Sequence, residues 1–200
     1  MKVIGITGSS GAGKSTICNL LDSKYEVEII NADKIAKELS KKGTEYLKSI
    51  VEKFGEEILK EDGELNRKKL ANIIYSSSKQ REVLNSCTFK YIKKEIQKRI
   101  KNSNKEVIAI DAPLLFECGL HELCNTVIGI ISKRELQIQR IVERDNISYI
   151  DAENRLNAQK DNDFYIENCN EIIENNNDIS DIEKHIEKIA IRYNITKRLQ

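Results

Sequence analysis

Apolar residues fall along this chain in two alternating patterns. Short, nearly continuous runs rich in Val and Ile occur at Lys2-Val3-Ile4-Gly5-Ile6-Thr7, Glu26-Val27-Glu28-Ile29-Ile30, Glu106-Val107-Ile108-Ala109-Ile110-Asp111, Thr126-Val127-Ile128-Gly129-Ile130-Ile131 and Glu171-Ile172-Ile173-Glu174. Such runs suit strands covered on both faces of a parallel sheet. Between them, apolar positions recur every three or four residues, the helical spacing: Ser15 to Leu21, Lys34 to Leu39, and a long stretch from Thr44 to Asn102. That stretch carries the sets Leu47, Ile50, Val51 and Phe54, then Leu70, Ile73 and Ile74, then Ile92, Ile96 and Ile100. Asp62-Gly63 marks a turn inside it, and Asn66 a cap before a helix from Arg67 to Tyr75. Further helices are expected through Arg134, Arg140 and Arg144, beyond Asp151 with Arg155, and from Ser180 to Tyr193 after a turn at Asn175-Asn176-Asn177. The pattern predicts an α/β chain with a five-stranded parallel sheet flanked by helices, ending in a frayed basic tail, Lys197-Arg198-Leu199-Gln200.

The join between the first strand and first helix carries chemistry. It reads Gly8-Ser9-Ser10-Gly11-Ala12-Gly13-Lys14-Ser15, a complete G-x-x-x-x-G-K-[ST] sequence in the strand-to-helix context that this phosphate-binding motif requires. Glycines let the backbone turn its N–H groups inward, and those amides with the positive end of the helix form a nest for phosphate oxygens. Lys14 adds a point charge at the transferred group, and the Ser15 hydroxyl is the expected Mg²⁺ ligand.

Two acids end strands at the edge where open parallel sheets bind ligands. Asp33 follows the second strand as Asn31-Ala32-Asp33, and is either a base for an acceptor hydroxyl or the N-cap of the next helix. Asp111 ends the third strand, where an acid of the Walker B kind meets the metal directly or through water. Pro113, the only proline, stops that strand because it has no N–H for the ladder. Arg140 and Arg144 share a helical face, which either closes over phosphates as a lid or is an exposed face paired with Glu135, Glu143 and Asp145. The helices from 44 to 102 either form an acceptor-binding region or simply cover the sheet.

Length and charge narrow the classes. Two hundred residues make one α/β domain, with 33 Lys and Arg against 32 Asp and Glu and so no electrostatic footprint of a general nucleic-acid binder. The first strand starts at residue 2, which leaves no room for a signal peptide, and no apolar run approaches the ~20 residues of a membrane span, so a soluble cytoplasmic protein is expected. Five cysteines without a C-x-x-C pair, Cys18, Cys87, Cys118, Cys124 and Cys169, suit reduced structural thiols.

Taken in order, the motifs resemble the dephospho-coenzyme A kinases. The resemblance spans nearly the whole chain: Ile4 to Gly8 running into the loop, Asn31-Ala32-Asp33-Lys34-Ile35-Ala36, Phe54-Gly55 through Ile58-Leu59, Asp62-Gly63-Glu64-Leu65-Asn66-Arg67, the most specific piece Asp111-Ala112-Pro113-Leu114-Leu115-Phe116-Glu117, Gln139-Arg140-Ile141 with Arg144-Asp145, Arg155 to Gln159, and Ile172-Ile173-Glu174-Asn175. It departs at Cys87-Thr88, where the family usually has His-Pro, at Asn31, where an aspartate is common, and around Asn177, where a glycine is expected. The resemblance implies a P-loop kinase that moves the γ-phosphoryl group of ATP, with Mg²⁺, to the ribose 3′-hydroxyl of dephospho-coenzyme A, the last step of coenzyme A synthesis. Lys14, Asp33 and Arg140 would be catalytic, with Arg140 in the lid and Asp33 taking the hydroxyl proton. Gly11, Ala12, Gly13, Lys14, Ser15, Thr16 and, on the adenine side, Asn175 would hold ATP, and Ser15 and Asp111 would hold the metal. The core would comprise about 1–33, 105–135 and 170–200, the acceptor region 34–104 and the lid 136–168. The partner would be a small molecule, with no nucleic acid or membrane; the oligomeric state stays open, and a monomer is compatible. Two alternatives are another small-acceptor kinase, such as a nucleoside monophosphate kinase, and a nucleotide-dependent switch ATPase.

Overall fold

The computed structural model describes residues 1–75, 77–176 and 178–198. Backbone contacts divide the chain into two compact units, Met1–Ile30 with Ser103–Gln200, and Asn31–Asn102. The first is built on a five-stranded parallel sheet in the order β2-β3-β1-β4-β5, from β1 (Lys2–Thr7), β2 (Val27–Asn31), β3 (Val107–Asp111), β4 (Thr126–Ile131) and β5 (Glu171–Glu174). Strands begin and end within a residue of the apolar runs that predict them. β1 lies between β3 and β4, with Ile6 opposite both Asp111 and Ile128. Their carboxyl ends therefore open side by side, and the loop that leaves β1 emerges between those that leave β3 and β4. This reversal of strand order is where open α/β sheets take their ligands.

Helices α1 (Lys14–Lys24) and α9 (Ile179–Arg192) cover one face of the sheet. Ile17, Cys18 and Leu21 of α1 pack with Ile182, Ile186, Ile189 and Ala190 of α9 against Ile4, Ile6, Ile128, Ile130 and Ile173. Each fully buried isoleucine contributes about 1.5–3 kcal/mol, so this layer fixes where α1 begins. The tail read as frayed is pinned through Arg198. Glu26 N–H donates to Thr196 O at 2.8 Å, and Arg198 donates from its backbone N to Lys24 O and from Nε to Tyr25 O, both at 2.8 Å. Leu199 and Gln200 lie outside the described residues.

After β4, α6 (Arg134–Asp145) and α7 (Tyr149–Asn157) form a hairpin with a small core of its own, Ile138 and Ile141 against Ala152 and Leu156. Asn146 closes α6 in the left-handed conformation, and Ser148 caps α7 by accepting Asp151 N–H at 3.1 Å. The sequence pattern did not resolve α8 (Asn162–Asn168), which follows α7, or the turn of 3₁₀ helix at Leu120–Leu123 between β3 and β4.

The second unit is helical: α2 (Ala32–Leu39), α3 (Glu45–Phe54), α4 (Arg67–Tyr75) and α5 (Ser78–Asn102). Its core joins Tyr46, Leu47, Ile50 and Phe54 of α3 to Ile58, Leu65, Leu70 and Cys87. The turn at Asp62-Gly63 is closed by Gly63 N–H to Lys60 O at 2.9 Å, and Asn66 caps α4 by accepting Lys69 N–H at 3.1 Å. Arg67 donates to the buried Ser40 hydroxyl at 2.5 Å. Helix α5 runs unbroken through Cys87-Thr88, where a proline would remove a backbone N–H and kink it. The Cys87 thiol meets Ser49 Oγ at 3.1 Å and Thr88 Oγ1 meets Tyr46 OH at 2.9 Å, so the departure at these two positions ties α5 to α3.

All five cysteines are free, and no group of three or more His, Cys, Asp or Glu among the described residues could hold a metal. Among the described residues no helix is long and apolar enough to cross a membrane.

Candidate active site

The phosphate loop lies where β1 meets α1. Gly13 caps α1 in the left-handed region at φ +100°, a conformation only glycine adopts without strain, and no side chain caps the helix. The first turn of α1 also carries no acid. Its positive end is therefore left uncompensated by the helix's own side chains, as an anion site requires. Lys14 does not extend into solvent. Its Nζ donates to Gly8 O at 2.5 Å and Ser9 O at 3.2 Å, which keeps the ammonium folded over the loop. Ala12 is buried, Ser15 is exposed on the first turn of α1, and Thr16 N–H donates to Gly13 O at 3.1 Å.

Asp111 ends β3 and is 8% exposed. Cys18, one helical turn beyond Lys14, has its thiol pushed up to about 12, first by burial and then by the negative charge of Asp111, to which it is also hydrogen-bonded, while Lys14 opposes the shift. Asp111, Cys18 and Lys14 thus share one charged neighbourhood at the start of α1. The Ser15 hydroxyl and the Asp111 carboxylate offer hard oxygen donors, the ligand type that Mg²⁺ takes.

A polar network ties the ends of β4 and β5 to the loop. Asn175 is buried, donates from Nδ2 to Ala12 O at 2.8 Å, and its backbone N–H reaches Ile131 O at 2.8 Å. Its carbonyl accepts from Ser132 Oγ at 2.9 Å and Arg140 Nη2 at 3.0 Å. Arg140 is half-buried, and its Nη1 donates to Gly11 O at 3.1 Å and Ser132 Oγ at 3.2 Å. Arg140, Asn175 and the loop are therefore one connected assembly, in which the guanidinium joins the Gly11 carbonyl of the loop to the Asn175 carbonyl. Ser132 and Asn176 belong to it as well, Asn176 Oδ1 accepting Lys133 N–H at 2.6 Å. Sequence assigned Ser132 no role and Asn176 only a place in a turn, because a Ser or Asn after a strand gives no binding signal until its neighbours are known. Asn177, expected in the same turn, lies outside the described residues.

The rest of the basic helical face is ion-paired. Arg144 grips Asp145 with Nε and Nη2, both at 2.8 Å, and Arg155 binds the same carboxylate. The Asp145 carboxyl is held down at about 2, chiefly by the hydrogen bond from Arg144 and secondarily by Arg155. Arg134 donates to Asn157 Oδ1 at 2.7 Å. Of the acids expected to pair with this face, Asp145 does so, while Glu143 accepts from Gln139 at 2.9 Å.

Asp33 belongs to the helical unit. It is exposed in the first turn of α2, two residues beyond the end of β2. The capping role that sequence allowed it is taken by Asn31, whose Oδ1 accepts Lys34 N–H at 2.8 Å. The Asp33 carboxylate is thereby left out of the cap.

Comparison with known proteins gives one answer. The family model described as dephospho-CoA kinase matches residues 2–181. A dephospho-CoA kinase of Arabidopsis thaliana is 36% identical over 194 residues, covering 96% of this chain and 83% of the relative; one from Listeria monocytogenes is 36% identical over 188 residues, covering 92% and 94%. The solved dephospho-CoA kinase from Campylobacter jejuni superposes with a TM-score of 0.70 at 29% identity, covering 96% of this chain and 98% of its own. A family match over the sheet, loop and helices described above, with relatives this similar across most of their length, leads to one conclusion: the chain belongs to the dephospho-CoA kinase family.

Proposed function

We propose that this protein transfers the γ-phosphoryl group of ATP to the ribose 3′-hydroxyl of dephospho-coenzyme A, giving coenzyme A and ADP as the last step of coenzyme A synthesis. The observation that carries the reading is the uncompensated start of α1, where Gly8 to Ser15 fold with Lys14 over the loop and Asp111 beside it, in a chain of this family. Amides from Gly11 to Thr16 hold the phosphates, and Asn175, by fixing Ala12 O, keeps the loop in shape on the adenine side. Ser15 and Asp111 would hold Mg²⁺, which would supply neutralising charge to the phosphates. Asp33 accepts the proton of the attacking hydroxyl as its oxygen bonds to the γ-phosphorus and the bond to the β,γ-bridging oxygen breaks. Lys14 and Arg140 place positive charge where the transferred group and the leaving phosphate need it, an effect worth most in the transition state. Residues 34–104 serve as the acceptor region and 136–168 as a lid. The balanced charge supports an enzyme that acts on a small molecule and has no nucleic-acid partner.

The test is a panel of acceptors with ATP and Mg²⁺. Dephospho-coenzyme A should give the highest kcat/KM by orders of magnitude, and Lys14→Ala should abolish turnover with the fold intact. Comparable rates with nucleoside monophosphates, or ADP release without an acceptor, would replace the proposal by the corresponding alternative.

A further inference from the structure

The tip of the phosphate loop is gripped from outside by one helical segment. Gln137, buried in α6, donates from Nε2 to Ser9 Oγ at 2.6 Å and to Ser10 O at 3.3 Å. Gln159, just past α7, accepts the Ser10 N–H on Oε1 at 2.7 Å. Arg144 Nη2 reaches Ser10 Oγ at 3.3 Å, and Arg140 reaches Gly11 O at 3.1 Å. The backbone of Gln137 also lies against Gly11: a Cβ there would stand 2.5 Å from the Gln137 carbonyl oxygen, at φ +74°. Every polar group of Ser10, its N–H, its carbonyl and its hydroxyl, is thus bonded by a side chain from 137–159.

A glycine-rich loop that must present its amides to phosphate would otherwise sample many shapes, and each ordered residue carries a conformational entropy cost. We infer that Gln137 and Gln159 are positioning residues of the ATP site, two carboxamides that clamp the Ser10 peptide from both sides and hold the loop tip in its phosphate-binding shape. The residue types suit the two tasks. Gln137 must donate to two oxygens, which a carboxylate cannot do. Gln159 must accept from an N–H beside a polyanion, where a neutral oxygen serves and a carboxylate would repel the ligand. The clamp also links 137–159 mechanically to the loop, so any movement of that segment is transmitted to the phosphates.

The inference rests on the reading of Gly8 to Ser15 as the ATP site, and the experiment separates the two. Steady-state kinetics are measured with ATP varied at saturating dephospho-coenzyme A, then with the acceptor varied, for the wild type, Gln159→Ala, Gln137→Met and Lys14→Ala. The melting temperature of each and the hydrogen exchange of the Ser10 amide are also measured. Gln159 is exposed, so its alanine variant keeps the fold, while methionine preserves volume at the buried Gln137. Loss of one net hydrogen bond predicts that KM for ATP rises about threefold to tenfold in Gln159→Ala, and loss of two predicts at least as large a rise in Gln137→Met. The acceptor KM and kcat should stay within about twofold, because a preformed loop serves the ground and transition states alike. Ser10 exchange should quicken in Gln159→Ala at an unchanged melting temperature. An unchanged KM for ATP in Gln159→Ala, with Lys14→Ala inactive, overturns the clamp and spares the site; a fall in kcat together with melting temperature reduces the glutamines to packing and also overturns it. An active Lys14→Ala overturns the site reading itself.

Discussion

Gly13 and Asn175 should behave as one unit, and a double-mutant cycle measures it. A Cβ at Gly13 would lie 1.8 Å from Asn175 Nδ2, far inside contact distance, and would force that side chain away. Gly13→Ala therefore has two costs: alanine at φ +100° is strained by about 1–2 kcal/mol, and displacing Asn175 leaves buried Ala12 O without its bond, about 1–3 kcal/mol. The sum is about 2–5 kcal/mol, and since each kcal/mol lowers Tm by about 2–4 °C in a chain this long, the variant should melt well below the wild type. Asn175→Ala alone loses only the side-chain bond, because its contacts to Ile131, Ser132 and Arg140 run through the backbone. In the double variant the clash is gone, the remaining Asn175 Cβ standing an ordinary 3.9 Å from the new methyl, and the bond to Ala12 is lost once, not twice. Urea unfolding of the four proteins should show the double variant about as stable as Gly13→Ala alone, a coupling of about 1–3 kcal/mol. Additivity within about 0.5 kcal/mol would refute the reasoning and separate Asn175 from the loop.

Three further outcomes follow from the same geometry. The Asp145 carboxyl is held below its ordinary 3.8, so its contribution to stability is complete above that value and drains away as pH falls toward about 2; Asp145→Asn should flatten the stability profile in that window, and an unchanged slope would contradict the pairing with Arg144 and Arg155. Burial pushes the Cys124 and Cys169 thiols up to about 12, so both should resist alkylation at about pH 8 in the folded protein and react once it is unfolded; rapid labelling of either in the native state would contradict their packing. Asp33→Asn should lower kcat by about 10²- to 10⁴-fold with ATP affinity little changed, whereas Asp111→Asn should raise the Mg²⁺ requirement; rescue of the first but not the second by excess Mg²⁺ reverses the two roles.

The strands and the loop were legible because their signals are local. Buried parallel strands read as apolar runs, and the positive φ of Gly11 and Gly13 restricts those positions to glycine whatever surrounds them. The site beyond the loop was less legible, since its connections join residues far apart in the chain. Periodicity puts Arg140 and Arg144 on one face, yet nothing local says that Arg140 turns inward to Gly11, Ser132 and Asn175 while Arg144 closes on Asp145. The same holds for Gln137 and Gln159, ordinary helix and loop residues until Ser10 is placed between them. Sequence offered Asp33 alone as the cap, yet the cap falls to Asn31, whose extended backbone, at φ −91° and ψ 115°, lets its side chain reach Lys34 N–H. The tail misled because its basic residues find their partners at Lys24 and Tyr25.

The central claim, phosphoryl transfer to a ribose hydroxyl of dephospho-coenzyme A, is tested most directly by the phosphorus NMR spectrum of the product. ATP, Mg²⁺, dephospho-coenzyme A and the purified protein should yield one new phosphomonoester resonance, coupled to the ribose 3′ proton, in step with the appearance of ADP. A new resonance from inorganic phosphate alone would show transfer to water, and one from a new phosphoanhydride or from a monoester at another ribose position would show a different acceptor atom; each would contradict the account.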